Sequence, residues 1–186
     1  MVLKQSSMMP LGTPAPIFAL PDSVSGDLQS LEAVCGEKGT LVAFICNHCP
    51  FVIHVAPALA ALANAYAAKG IAAVAISSND VDAFPQDGPQ EMARFAQEQG
   101  FGFPYLYDET QQVARSYDAQ CTPDFFLFNA QLKLVYRGQM DDSRPGNGEP
   151  NDAADLAAAM DSVLGGTQVS QQQYPSSGCN IKWKSA

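Results

Sequence analysis

Cys46 and Cys49 stand three positions apart in the stretch LVAFICNHCPFVIHV (41–55), with His48 between them and Pro50 straight after. Cysteines at i and i+3 meet across one helical turn, so a disulfide between them needs little rearrangement. A thiol at a helix N-terminus is acidified, because the free N–H groups and the dipole there favour a thiolate. The thiolate is the attacking species in disulfide exchange and in peroxide reduction. Two other readings use the same residues. Small cysteines pack well in cores without reacting, and Cys46, Cys49 and His48 are ligand types for soft Cu(I) or Zn(II). A structural zinc site takes four ligands, and no second Cys/His pair occurs at ligand spacing. A redox dithiol with no metal or cofactor is the expectation.

The flanking segments must hold that pair at a strand–helix junction. TLVAFIC (40–46) is a continuous apolar run with β-branched and aromatic residues, as in a strand buried on both faces. Val52, Val55, Leu59, Leu62 and Tyr66 then recur at helical spacing, with Pro57 inside the pattern and Gly70 after it. IAAVAISSND (71–80) reads as a second buried strand, completing a βαβ unit with a parallel crossover. Pro50 favours a helix that starts there with Cys49 as its cap. A start just after Cys46 is the alternative, since the first turn loses few N–H partners to a proline.

Further along, GPQEMARFAQEQG (88–100) predicts a helix, FPYLYD a short strand and TQQVARSYD a short helix. DFFLFNAQLKLVYRGQ predicts a hairpin around Asn-Ala-Gln. NDAADLAAAMDSVLGG predicts a last helix, capped by Asn151 or Asp152 and stopped by Gly165. Before the first buried strand, Pro10, Gly12, Pro14, Pro16 and Pro21 imply an extended arm with one edge strand, and Ser30 caps a short helix over SLEAV. The expectation is one domain over 1–166, including the N-terminal extension, and a polar C-terminal tail over 167–186. The fold class is α/β, a central mixed sheet flanked by helices.

A chain of 186 residues, 47% hydrophobic, can bury a sizeable core. Its net charge of −9 repels a phosphate backbone, so nucleic acid is not an expected partner. No apolar run near the N-terminus matches a signal-peptide core, and LVAFIC is far too short for a bilayer. The expectation is a cytoplasmic protein, monomeric or homodimeric, without membrane contact. Five cysteines is an odd number, which suits reactive or buried thiols better than a disulfide scaffold.

Three segments, FICNHCPF, CTPDFFLFN with LVYRGQMDDSRP, and PSSGCNIKWK, together resemble the thioredoxin superfamily, and specifically the peroxiredoxin-like AhpC/TSA (redoxin) group. The resemblance implies a thioredoxin-like fold and thiol redox chemistry. It implies that Thr122–Pro123 is a cis pair facing the cysteines and offering backbone groups to a substrate. By analogy with thioredoxin, Cys46 is the nucleophile, slightly ahead of Cys49, and His48 stabilises its thiolate. Partners would be protein or small-molecule thiols and disulfides, or hydroperoxides if Cys49 were a peroxidatic thiol. Two departures weaken the peroxidase reading. Cys46 occupies the threonine position of the Pro-x-x-x-Thr-x-x-Cys motif, with Val42 at its proline, and no arginine matches the peroxide-polarising one. Cys121, beside Thr122, and Cys179, in the tail, are candidate additional redox thiols. Cys35 has no assigned role. His54 reads as ordinary surface or packing, and Arg137 with Asp141–Arg144 as a solvated turn, with a loop that shapes a substrate entrance as the alternative.

Overall fold

Six consecutive residues of β4 (Gly39–Phe44) are buried, because both faces of this strand are covered. In the computed structural model, which describes residues 2–185, β4 is the middle strand of a five-stranded sheet. β5 (Ile71–Ser77) lies parallel on one side, followed by β6 (Tyr105–Tyr107), also parallel. β8 (Asp124–Asn129) lies antiparallel on the other side, with β9 (Leu134–Gly138) closing the hairpin and a bulge at Leu127/Phe128. The sheet is mixed because its first half is made by crossovers and its second by a hairpin.

Alternate residues of β4 feed two separate cores. Leu41 and Ala43 pack with α2 (Pro50–Ala67), α3 (Pro89–Gln99) and α5 (Ala154–Gly165). Val42 and Phe44 pack on the other face with α4 (Gln112–Ser116) and with the N-terminal segment. There the arm forms a strand pair rather than one edge strand: β2 (Ala19–Pro21) with β3 (Leu28–Ser30), leading into α1 (Leu31–Val34). Ser30 caps α1 as expected, its hydroxyl accepting from the Ala33 N–H.

Two expectations need correction. The segment after residue 167 does not stay outside the core. β10 (Ser177–Asn180) is the central strand of a second sheet, ordered β1-β10-β7, between β1 (Leu3–Gln5) and β7 (Cys121–Thr122). Ser, Gly and Asn give it little hydrophobic signal; backbone pairing on both edges holds it instead. Beyond it, the Lys182 N–H donates to Asn79 and the Arg115 guanidinium sits over the Trp183 ring. The caps of α5 also differ. Ala153 is its N-cap at φ 56°, its N–H held by Asp141 Oδ2, and Gly166, not Gly165, is its C-cap at φ 64°.

Candidate active site

The β4–α2 junction settles where the helix starts. Pro50 is the first helical residue and Cys49 its N-cap, in extended backbone at φ −73° and ψ 122°. Cys46 lies in the turn before it, and both thiols are buried. The peptide between Thr122 and Pro123 is cis, as the resemblance implied. Thr122 touches both sulfurs: its Oγ1 lies 3.4 Å from Cys46 Sγ, and its carbonyl oxygen 3.2 Å from Cys49 Sγ. β10 brings a third sulfur, Cys179 Sγ, to 2.7 Å from Cys49 Sγ. Cys46, Cys49, Thr122 and Cys179 therefore share one cluster. Cys121 does not join it; its thiol faces the Pro123 and Ser176 carbonyls. All five cysteines are free thiols.

One negative charge among these sulfurs settles on Cys49. Hydrogen bonding from the Cys46 thiol draws the Cys49 pKa down to about 5 against the penalty of burial. The Cys179 thiol and the N–H groups of Val52 and Cys179 assist. The same Cys46–Cys49 bond, then burial and the Asp87 charge, push Cys46 well up, against the opposing Thr122 hydroxyl. Burial, reinforced by Cys49, pushes Cys179 up to about 12. Burial also raises Cys121, which has no compensating helix terminus. The sequence put Cys46 slightly ahead as nucleophile; the electrostatics favour Cys49.

His48 is anchored to a residue that the sequence did not single out. Asp87, fully buried in a 3₁₀ turn (Pro85–Asp87), accepts the N–H groups of Asn47 at 2.8 Å and His48 at 3.3 Å. Its other oxygen accepts from Asn79 Nδ2 at 2.8 Å and bonds His48 Nδ1 at 2.6 Å. Phe84 stacks on the imidazole, centroids 5.4 Å apart and 6° from parallel. The Asp87 carboxylate thus holds the His48 ring in place beside the cluster. The carboxylate works against a Cys46 thiolate, contrary to the activation expected of the histidine.

A Cys46 sulfur, a His48 ring nitrogen and an Asp87 oxygen lie within 4.8 Å of one another. They are the residues that could hold a soft cation, although both Asp87 oxygens already accept hydrogen bonds, from the Asn47 and His48 N–H groups and from Asn79. Replacing Asp87 with alanine strips both loop N–H groups of their acceptor. A loss of about 3 kcal/mol in urea unfolding is expected. The Cys46 thiol in the surviving protein should titrate lower than in the wild type. An unchanged denaturation midpoint would show that the Asp87 network holds nothing in place.

The polar run after the hairpin is also more structured than expected. Arg137, Asp141 and Ser143 are buried rather than solvated. Ser143 bonds Asp141 and also His54 Nε2, at 3.0 Å, so His54 ties α2 to this loop.

The sequence model of the AhpC/TSA family matches residues 11–137, more than half of the chain. The chain belongs to the AhpC/TSA family. A crystal structure of an uncharacterized conserved protein from Geobacillus kaustophilus is 52% identical with a TM-score of 0.98, covering 100% of this chain and 98% of that one. A hypothetical protein, SMc02350 from Sinorhizobium meliloti 1021, is 49% identical with a TM-score of 0.95, over 98% and 99% of the two chains. The peroxidoxin BcpB from Mycobacterium tuberculosis shares the fold at 20% identity and a TM-score of 0.63, over 85% and 98%. No curated protein matches. This AhpC/TSA protein thus has a thioredoxin-like fold and belongs to a family of thiol redox enzymes. The matched segment holds Cys46, Cys49, Thr122 and Pro123; β10 with Cys179 lies beyond it.

Proposed function

We propose that this protein is a thiol–disulfide oxidoreductase, exchanging with small-molecule or protein disulfides through Cys46 and Cys49. The observation that carries this reading is Cys49 at the α2 N-cap, with Cys46 in the turn before it and both sulfurs against Thr122 beside the cis Pro123. The Cys49 thiolate attacks a substrate disulfide, forming a mixed disulfide and releasing one substrate thiolate, which takes up a proton. Cys46 then loses its proton, attacks Cys49 Sγ and expels the second substrate thiolate. The substrate gains two electrons and the enzyme holds a disulfide. Five free thiols suit a reducing compartment such as the cytoplasm.

A thiolate that persists down to about pH 5 stabilises the reduced form. Against an ordinary thiol, that amounts to about 3 kcal/mol at pH 7, or on the order of 60 mV. The disulfide is therefore expected to be more oxidising than thioredoxin, whose potential is about −270 mV. Titration in glutathione buffers should show one two-electron transition above that value, absent from Cys49→Ser. A potential at or below it would contradict the Cys49 assignment, and no transition at all would refute the exchange reading.

The position of Cys49 as N-cap before Pro50 also favours a second reading, a peroxiredoxin-like peroxidase with Cys49 as the peroxidatic thiol. Rapid hydrogen peroxide consumption, with sulfinic acid on Cys49 at excess peroxide, would support it over disulfide exchange.

A further inference from the structure

The cluster contains one more sulfur than the exchange cycle needs. Cys179 is carried by a strand that pairs antiparallel with β1 on one edge, where it stands opposite Leu3, and with β7 on the other, where it stands opposite Thr122. Thr122 is the residue whose hydroxyl and carbonyl touch Cys46 and Cys49, so the register fixes Cys179 beside the same two thiols. Its sulfur contacts Cys49 Sγ at 2.7 Å.

A second observation points the same way. A Cβ on Gly178 would fall 2.0 Å from the Thr122 carbonyl oxygen and 2.7 Å from its carbon, backbone atoms that cannot swing aside. Only glycine lets β10 lie this close to the cis peptide. The residue beside Cys179 thus permits the approach that puts its sulfur on Cys49. Cys121, on the partner strand β7, faces carbonyl oxygens instead and is no competitor. Inert packing of a small thiol is the alternative, and it makes a different prediction.

We propose that Cys179 is a resolving thiol for Cys49, so that the disulfide can form to either of two partners. This rests on Cys49 being the exchanging thiolate. Once Cys49 carries a mixed disulfide, Cys179 loses its proton to the departing thiolate and attacks Cys49 Sγ. The Cys49–Cys179 bond forms as the bond to the substrate sulfur breaks, and the second substrate thiol leaves. A Cys46 thiolate can then attack Cys49 Sγ and release Cys179, moving the disulfide within the protein with no external oxidant. Cys49 is the common atom of both bonds.

The test uses full-length reduced protein and oxidised glutathione under anaerobic conditions, acid quenching, alkylation and peptide mapping by mass spectrometry. Cys46→Ser is expected to take up glutathione, release it and yield a Cys49–Cys179 disulfide. The double variant Cys46→Ser/Cys179→Ser should stall as the Cys49–glutathione adduct, living at least about tenfold longer. Gly178→Ala in the Cys46→Ser background should stall in the same way while keeping both thiols, because the added methyl pushes β10 off Thr122. If Cys46→Ser itself accumulates the adduct and no Cys49–Cys179 bond appears, Cys179 is packing and the proposal is wrong. If wild-type protein takes up no glutathione, the exchange reading fails and this proposal fails with it. Cys46→Ala serves the same comparison should the serine variant not fold.

Discussion

Cys49→Ser is expected to lower disulfide exchange by on the order of 10³-fold or more, with no mixed disulfide formed at any stage. A serine hydroxyl fills nearly the same space but does not ionise near neutrality, so the fold survives while the attacking anion is lost. Cys46→Ser should differ in kind: the first attack proceeds, and the defect lies in the partner with which the mixed disulfide resolves. The ultraviolet absorbance of the thiolate provides a direct readout. In reduced wild-type protein it should rise through a midpoint near pH 5, and in Cys49→Ser that step should be missing.

The linkage follows from the sign of the shift. The pKa of Cys49 is lower folded than unfolded, so the thiolate stabilises the fold fully above the unfolded value of about 8.5. That contribution shrinks as pH falls from there and is gone below about 5. The stability gap between reduced wild type and Cys49→Ser should close over that window. A Cys49→Ser variant that still forms mixed disulfides, beside a Cys46→Ser variant that does not, would move the attack to Cys46.

What the sequence discloses depends on how local the cause is. The βαβ unit is legible because unbroken apolar runs and helical spacing are short-range patterns, and the Cys46/Cys49 pair stands at their junction. Ser30 is legible as a cap because its partner, Ala33, is three residues away. Asp87 is not legible: it lies in a Pro/Gly-rich turn, and its partners Asn47 and His48 are some forty residues upstream. β10 fails for a related reason. Its stability comes from pairing with both Leu3–Gln5 and Cys121–Thr122, remote in the chain, while its own side chains read as tail. Ala153 as the cap of α5 is equally non-local, since Asp141 fixes its N–H from another loop. Charged residues at the end of the hairpin suggest solvent, yet Arg137 is buried against Phe126 and Asp124 of the neighbouring strand and the Asp118 carbonyl.

Arg137 is where the largest stability effect is expected. Fully buried, it donates from Nη2 to the Asp118 carbonyl at 2.7 Å and to Asp124 Oδ2 at 3.3 Å, and its guanidinium lies 4.4 Å from the Phe126 ring centroid. Asp124 follows the cis Pro123 directly and also receives the Gln120 N–H, so the pair braces the segment that carries Thr122. Burial raises the Asp124 carboxyl, and Arg137 is the charge that opposes the rise. Arg137→Ala leaves that carboxyl buried without its counter-charge, and a loss of about 3–5 kcal/mol in denaturant unfolding is expected. Lysine should rescue little, because it lacks the planar fork and the stacking over Phe126. Arg137→Met paired with Asp124→Leu should recover more than either alone, since no buried charge then remains.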